Sequence, residues 1–121
     1  MVSSHVNADG DAIASALAVE SFLKYLGKNY DIVLNEKPVD KFLFLEGVDD
    51  ILMVDNLAGK RYKNVISVDV PNLGRLARVA DTFDDDAFIM PKLFSAFLMF
   101  VLTVDFNFDQ LFSSPSEILI L

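Results

Sequence analysis

The longest periodic apolar pattern in the chain has the spacing of an amphipathic helix. Apolar side chains recur at steps of four, three, four and three residues, and neighbouring apolar positions widen this stripe: Ala12, Ala16, Val19, Leu23 and Leu26, with Ile13, Leu17 and Phe22. Glu20 and Lys24 stand four residues apart with the acid first, which favours an exposed ion pair. Gly27 is well placed to end the helix. The pattern therefore predicts a helix over residues 12–26.

Shorter apolar runs have the composition of β-strands. Residues 30–34 are rich in β-forming side chains and stop at a break over residues 35–38, which predicts a strand followed by a loop. Residues 65–68 form the strongest strand signal, and Asp69 follows at their carboxyl end. Strand and helix signals that alternate in this way predict an α/β fold, with a mainly parallel sheet flanked by helices.

The remaining segments carry weaker signals. Residues 39–45 fit a short helix and residues 50–54 a strand, and both have a structural role in this interpretation. Residues 56–64 are predicted to be a loop whose basic side chains form a solvated face. The acidic run at residues 81–86 resembles a metal site, but consecutive acids are more often a solvated loop.

Beyond Pro91 the character of the sequence changes. The last 31 residues contain six of the eleven phenylalanines and a single basic residue, Lys92. Natural domains are usually consistent from local pattern to global fold, so a conflict confined to one end indicates a different origin for that end. We therefore divide the chain into residues 1–90, a partial domain, and residues 91–121, an apolar tail that does not continue the fold.

Composition limits the classes of function. The 121 residues fit one domain at most. The formal charge of −8 opposes binding to long nucleic acid. The absence of cysteine excludes disulfides and thiolate sites, and it fits a cytoplasmic protein. No signal peptide is visible, and the apolar run at residues 93–104 is too short to span a bilayer, so no membrane partner is expected.

The only histidine of the chain lies close to two acids at the start of the predicted helix. His5 precedes Asp9 by four residues and Asp11 by six, and Gly10 between the acids permits a tight turn. Aspartate, asparagine and serine favour turns and caps over helix interiors. The segment therefore predicts three possible metal ligands at the mouth of a helix.

Simpler explanations of this segment remain open. Asp11 could act only as a helix N-cap, although Ala14 stands where a capping box requires glutamate or glutamine. A calcium-binding EF-hand loop that begins at Asn7 does not fit, because Ala12 replaces the required glycine and Ala18 the required glutamate.

Residues 4–18 closely resemble motif I of the DHH family of phosphoesterases, which includes RecJ-like exonucleases, nano-RNases and phosphoadenosine phosphate phosphatases. The family shows Ser-His-x-x-x-Asp-Gly-Asp-Ala-Ile followed by small residues, and this chain departs only at Ala14, where glycine is usual. Asp69 with Arg75 and Leu76 resembles motif II. Motif III, Asp-His-His, is absent from the sequence. The family also has a helix and a strand before motif I, so the resemblance implies a start that is cut short.

The resemblance implies a two-ion metal site. His5, Asp9 and Asp69 would hold one ion, Asp11 and Asp69 the other, with Asp69 as the bridge and Asp11 and Asp69 as the catalytic carboxylates. Such a set of carboxylates would repel one another without cations. Oxygen ligands with one imidazole suit manganese or magnesium. Arg75 is a weaker candidate for a substrate contact, and a surface role is slightly favoured for it.

The resemblance implies metal-dependent hydrolysis of phosphodiester or phosphomonoester bonds. The expected substrate is a short oligonucleotide or a nucleotide phosphate, and long duplex DNA is not an expected partner. Because motif III is missing, two alternatives remain open. The first is a non-catalytic module that binds a metal or a nucleotide, and the second is a truncated or frame-shifted product without activity.

Overall fold

The computed structural model describes residues 1–90, so the predicted tail at 91–121 lies outside the described residues. The helix and strands are named here in chain order: β1 Val2–Ser3, α1 Gly10–Tyr25, β2 Val33–Leu34, β3 Leu52–Met53, β4 Tyr62–Ser67 and β5 Phe83–Met90. Short 3₁₀ segments connect them: Asp40–Phe42, Val48–Asp50, Val54–Asn56 and Leu73–Thr82. No helix within residues 1–90 is long and apolar enough to cross a membrane.

The described strands pair in parallel, which confirms the predicted α/β fold. In one sheet β1 pairs with β4 and β4 pairs with β5, and in the other β2 pairs with β3. An isolated parallel bridge between Val2 and Ile32 connects β1 to the start of β2. The spatial order across both sheets is therefore β3-β2-β1-β4-β5. The chain moves outward from β1 to β2 and β3, and then returns to the other side of β1 with β4.

Helix α1 begins earlier than its apolar pattern indicated. Asp9 is the N-cap, and its side chain accepts a hydrogen bond from the backbone N–H of Ala12. The cap is thus Asp9, whereas Asp11 lies within the first turn. Gly27 takes a φ of 65° directly after the helix and ends it, as predicted.

The face of α1 that packs on the sheet has the predicted apolar composition. Its buried side chains join those of the strands in one core cluster: Ile13, Ala16, Leu17 and Val19 from α1, with Val2, Ile32, Leu34 and Val68. Full burial of an aliphatic side chain stabilises a fold by about 1.5–3 kcal/mol. This core fixes α1 against the sheet.

The ion pair predicted on the outer face of α1 exists, but its acid is buried. Lys24 Nζ lies 3.1 Å from Glu20 Oε1, and the side chain of Glu20 is only 5% exposed. The hydroxyl of Tyr30 donates a second hydrogen bond to the same oxygen at 2.9 Å. Glu20 therefore joins α1 to the segment before β2, because a buried carboxylate needs such partners.

Residues 83–86 of the acidic run at 81–86 belong to strand β5, so the prediction of a solvated loop for this run is wrong. Strand β5 starts at Phe83 and pairs with β4. Two acids of β5 face basic side chains before and within β4: Arg61 Nε lies 3.2 Å from Asp84, and Lys63 Nζ lies 3.8 Å from Asp86. Opposite charges across neighbouring strands favour pairing.

Residues 56–64 are only partly a loop, because β4 already begins at Tyr62. The hydroxyl of Tyr62 and the ammonium of Lys60 both donate to Asp31 Oδ2. Burial raises the pKa of the Asp31 carboxyl, but these two hydrogen bonds outweigh that effect and lower the pKa below its ordinary value. This network joins the segment before β2 to the start of β4, at the amino ends of both strands.

Candidate metal centre

The strand order places the motif residues at one point of the sheet. His5 comes two residues after β1, and Asp69 comes two residues after β4. These neighbouring strands are parallel, so their carboxyl ends lie at the same edge. The chain leaves β1 toward β2 on one side, whereas β4 lies on the other. Ligands of open α/β sheets bind at such a reversal, outside the carboxyl ends of the strands.

Three side chains converge at this edge. His5 Nε2 lies 3.5 Å from Asp69 Oδ2 and 4.0 Å from Asp9 Oδ1. One ligand atom from each of the three residues lies within 4.8 Å of the others. The imidazole is only 11% exposed, while the Asp9 and Asp69 side chains are 65% and 43% exposed. A fixed nitrogen therefore faces two carboxylates that are open to solvent.

The orientation of the His5 ring is fixed by a contact with its backbone neighbour. His5 Nδ1 lies 2.8 Å from the carbonyl oxygen of Val6. A carbonyl oxygen can only accept, so Nδ1 carries the hydrogen and donates it. In the neutral imidazole, the lone pair then lies on Nε2, which faces Asp9 and Asp69. This orientation is typical of a metal-binding histidine, although an imidazolium paired with Asp69 would make the same contacts.

Two serines hold the loops of the site together. Ser4 Oγ donates to the carbonyl oxygen of Val68 at 2.8 Å, and Val68 N–H donates to the carbonyl oxygen of Ser3 at 2.9 Å. Ser3 Oγ also donates to the carbonyl oxygen of Val33 in β2. Both serines are fully buried. Sequence analysis did not assign them a role, and their signal was two consecutive polar residues directly before His5.

The backbone at the site adopts conformations that are uncommon for residues other than glycine. Asp69 has a φ of 51° and Asn7 a φ of 56°. Aspartate and asparagine enter this left-handed region more readily than other residues with a Cβ atom. Asp69 thereby turns the chain sharply at the end of β4, at the position where its carboxylate meets His5.

Gly10 is required by a close packing contact rather than by its backbone angles. A Cβ atom at this position would lie 2.8 Å from Cε1 of Phe42 and 3.1 Å from its Cζ. The aromatic ring thus lies directly against the first residue of α1, next to Asp9. The 3₁₀ segment Asp40–Phe42 thereby packs against the start of α1.

Two predicted site residues lie outside the group of three. Asp11 is exposed in the first turn of α1 and is not a member of the ligand group. Arg75 is exposed, and its backbone carbonyl accepts a 2.8 Å hydrogen bond from Val6 N–H, next to His5. The structure therefore brings His5, Asp9 and Asp69 together. The roles of Asp11 as a ligand and of Arg75 as a substrate contact stay predictions.

The two separations measured from His5 Nε2 are compatible with ligands of one divalent cation. With bonds of about 2.1 Å, ligands of an octahedral ion are separated by about 3.0 Å when adjacent and about 4.2 Å when opposite. The distances of 3.5 Å and 4.0 Å from His5 Nε2 lie between these values. One imidazole nitrogen with carboxylate oxygens is a donor set that divalent metal ions accept.

Comparisons with known proteins add one finding about the fold. No protein-family model matches the chain, and no curated protein sequence matches it. Among solved structures, the chain is similar to an exopolyphosphatase-related protein from Bacteroides fragilis, with a TM-score of 0.60 and 23% sequence identity. The match covers 75% of this chain and 33% of that protein. The likeness shows a shared α/β fold, and the chain spans about a third of the other protein's length.

Proposed function

We propose that this chain is the front part of the catalytic domain of a DHH-family phosphoesterase. Its activity is metal-dependent hydrolysis of phosphodiester or phosphomonoester bonds in short oligonucleotides or nucleotides. The observation that carries this proposal is the convergence of His5 Nε2 with the carboxylates of Asp9 and Asp69, all within 4.8 Å. The similarity in fold to an exopolyphosphatase-related protein supports the same class of chemistry.

Each residue of the site has a distinct role in this proposal. His5, Asp9 and Asp69 would hold one manganese or magnesium ion, and Asp11 and Asp69 would hold the other. Divalent ions bound in this way neutralise phosphoryl charge and lower the pKa of the attacking water. Val6 holds the imidazole through its carbonyl oxygen, so that Nε2 remains available as a ligand.

The charge of the protein makes substrate binding dependent on the metal. The formal net charge is −8, and Asp9 and Asp69 are both exposed at the site. A phosphate would therefore be repelled unless cations stand between it and the carboxylates. Arg75, on the loop next to His5, supplies an additional positive charge for a phosphate of the substrate. This arrangement favours short substrates over long nucleic acid.

A non-catalytic module that binds a metal or a nucleotide is the second candidate function. The observation that favours it is the exclusion of Asp11 from the ligand group in residues 1–90, which leaves three ligands for one ion. The sequence also contains a single histidine, so no second imidazole is available for another ion. Such a module would bind manganese with no hydrolysis of phosphate esters.

One experiment separates these candidates. The purified 121-residue chain is incubated with manganese and with three probes: a diribonucleotide, a nucleoside 3′,5′-bisphosphate and a short polyphosphate. We expect manganese-dependent release of product from a nucleotide probe, and Asp9→Asn should abolish it. Asp49→Asn, an exposed acid outside the site, is the matched control. Manganese binding without hydrolysis supports the non-catalytic module, and a folded chain without manganese binding refutes both functions.

A further inference from the structure

The segment that follows β4 is held in an unfavourable backbone conformation at both of its ends. Asp69 has a φ of 51°, and Ala77 has a φ of 47° with a ψ of −128°, within the kinked 3₁₀ segment Leu73–Thr82. Alanine has no side-chain hydrogen bond that could compensate for a left-handed conformation. Such conformations persist only where surrounding contacts determine them. The segment 69–78 therefore needs contacts that hold it in place.

Two consecutive carbonyl groups of this segment accept hydrogen bonds from separate parts of the sheet edge. The carbonyl oxygen of Arg75 accepts from Val6 N–H at 2.8 Å, and that of Leu76 accepts from Asn35 Nδ2 at 2.9 Å. The first bond joins the segment to the loop of His5. The second joins it to Asn35, which directly follows β2.

Asn35 is unusual among the buried polar residues. It is only 4% exposed, and its Oδ1 is the one buried side-chain polar atom of residues 1–90 without a hydrogen-bond partner. A buried acceptor without a partner lowers stability, whereas the amide nitrogen of the same side chain satisfies the carbonyl oxygen of Leu76. The carbonyl oxygen of Asn35 also accepts a hydrogen bond from Arg78 Nη2 at 3.2 Å. Asn35 thus contacts the segment on both sides of Ala77.

We propose that Asn35 is a positioning residue of the metal centre. Its hydrogen bond to Leu76 keeps the carbonyl oxygen of Arg75 bonded to Val6 N–H. The segment is thereby held where the Asp69 carboxylate lies next to His5 Nε2. This inference rests on the proposed function, because it concerns the geometry of the same site. Side chains that orient metal ligands from outside commonly affect metal affinity by 10–100-fold when they are changed.

The test measures the position of the segment and the metal affinity separately. Asn35→Leu removes both the donor and the unpartnered acceptor, and Asn35→Ala provides a second variant with a smaller side chain. Ser67→Ala is the matched control, because it removes a buried side-chain bond to the carbonyl oxygen of Met90 on the opposite side of β4. Amide hydrogen exchange is followed at Val6, which binds Arg75, and at Val68, which binds Ser3.

We expect Asn35→Leu to accelerate exchange at Val6 by at least about tenfold with little change at Val68, and to weaken manganese binding by about tenfold. Equal acceleration at both amides, or none at Val6, would overturn the inference. Unchanged manganese affinity in Asn35→Leu would also overturn it. A wild-type chain that binds no manganese refutes the proposed function, and exchange at Val6 then decides alone whether Asn35 positions the segment.

Discussion

Asp69→Asn should change the free energy of unfolding in opposite directions without and with metal. Asparagine keeps the shape of the side chain and tolerates the φ of 51° at this position, so the substitution chiefly removes one negative charge. A carboxylate oxygen of Asp69 lies within 4.8 Å of one from Asp9. At this separation, in a water-like dielectric, two charges repel by about 1 kcal/mol. Because both carboxylates are largely exposed, this is the appropriate regime.

Without metal, we therefore expect Asp69→Asn to raise the free energy of unfolding by up to about 1 kcal/mol. For a chain of this size, that corresponds to a rise of about 4 °C in Tm. With manganese at a hundredfold excess over its Kd, the wild-type chain gains about 2.7 kcal/mol. The variant loses most of this gain, because its metal site lacks the Asp69 carboxylate. The order of the two melting temperatures is thus reversed by the metal.

Thermal melts in EDTA and in excess manganese measure this reversal. Asp49→Asn serves as the control, because it removes one exposed charge at a residue outside the ligand group. We expect manganese to raise the Tm of this variant and of the wild type equally. A lower Tm for Asp69→Asn in EDTA would show that Asp69 pairs with an imidazolium of His5. An undiminished manganese shift in Asp69→Asn would show that Asp69 is not a ligand. Either result refutes the reasoning.

Three further predictions concern the fold around the site. Ala77→Gly should stabilise the chain by about 1 kcal/mol, measured by urea unfolding, because glycine adopts a φ of 47° without strain. Gly10→Ala should destabilise it by about 1–3 kcal/mol, because the added Cβ meets the ring of Phe42, and Phe42→Leu should restore part of the loss. Asp31 has a lowered pKa in the folded state. Its contribution to the free energy of unfolding is therefore complete above the ordinary pKa of 3.8, and this contribution is lost as the pH falls from 3.8 through the lowered pKa. Acid unfolding of Asp31→Asn should therefore show a weaker dependence on pH in that range than the wild type.

The helix and its contribution to the site could be predicted from the sequence because their signals are local. The apolar period indicated α1 to within two residues at its start, and Gly27 marked its end. The cap was assigned less well. Asp9 and Asp11 are equally suited to capping by residue type, and only the structure shows that Asp9 bonds Ala12 N–H.

The strand order and the role of β5 could not be predicted in the same way. Parallel pairing joins residues far apart in sequence, such as Val2 with Ile66, and no local pattern specifies it. The acids of β5 suggested a solvated loop, because their partners Arg61 and Lys63 lie more than twenty residues away. Tertiary context thus determines the conformation of this segment.

The site itself was partly predictable. A resemblance in motif grouped His5 with Asp9 and Asp69, and the structure places ligand atoms of these three residues together. Asn35 carried no motif signal, because its role depends on a contact with Leu76 across the sheet edge. Contacts of this kind become visible only once the strand order is known.

Pulsed electron paramagnetic resonance of the manganese-loaded chain tests the central claim most directly. The sequence contains a single histidine, so an imidazole nitrogen coupled to the bound ion can come only from His5. We predict a ¹⁴N coupling from a directly bound imidazole in the wild type. It should disappear in His5→Gln and persist in Asp49→Asn. Manganese that binds without this coupling would contradict a metal centre formed by His5, Asp9 and Asp69.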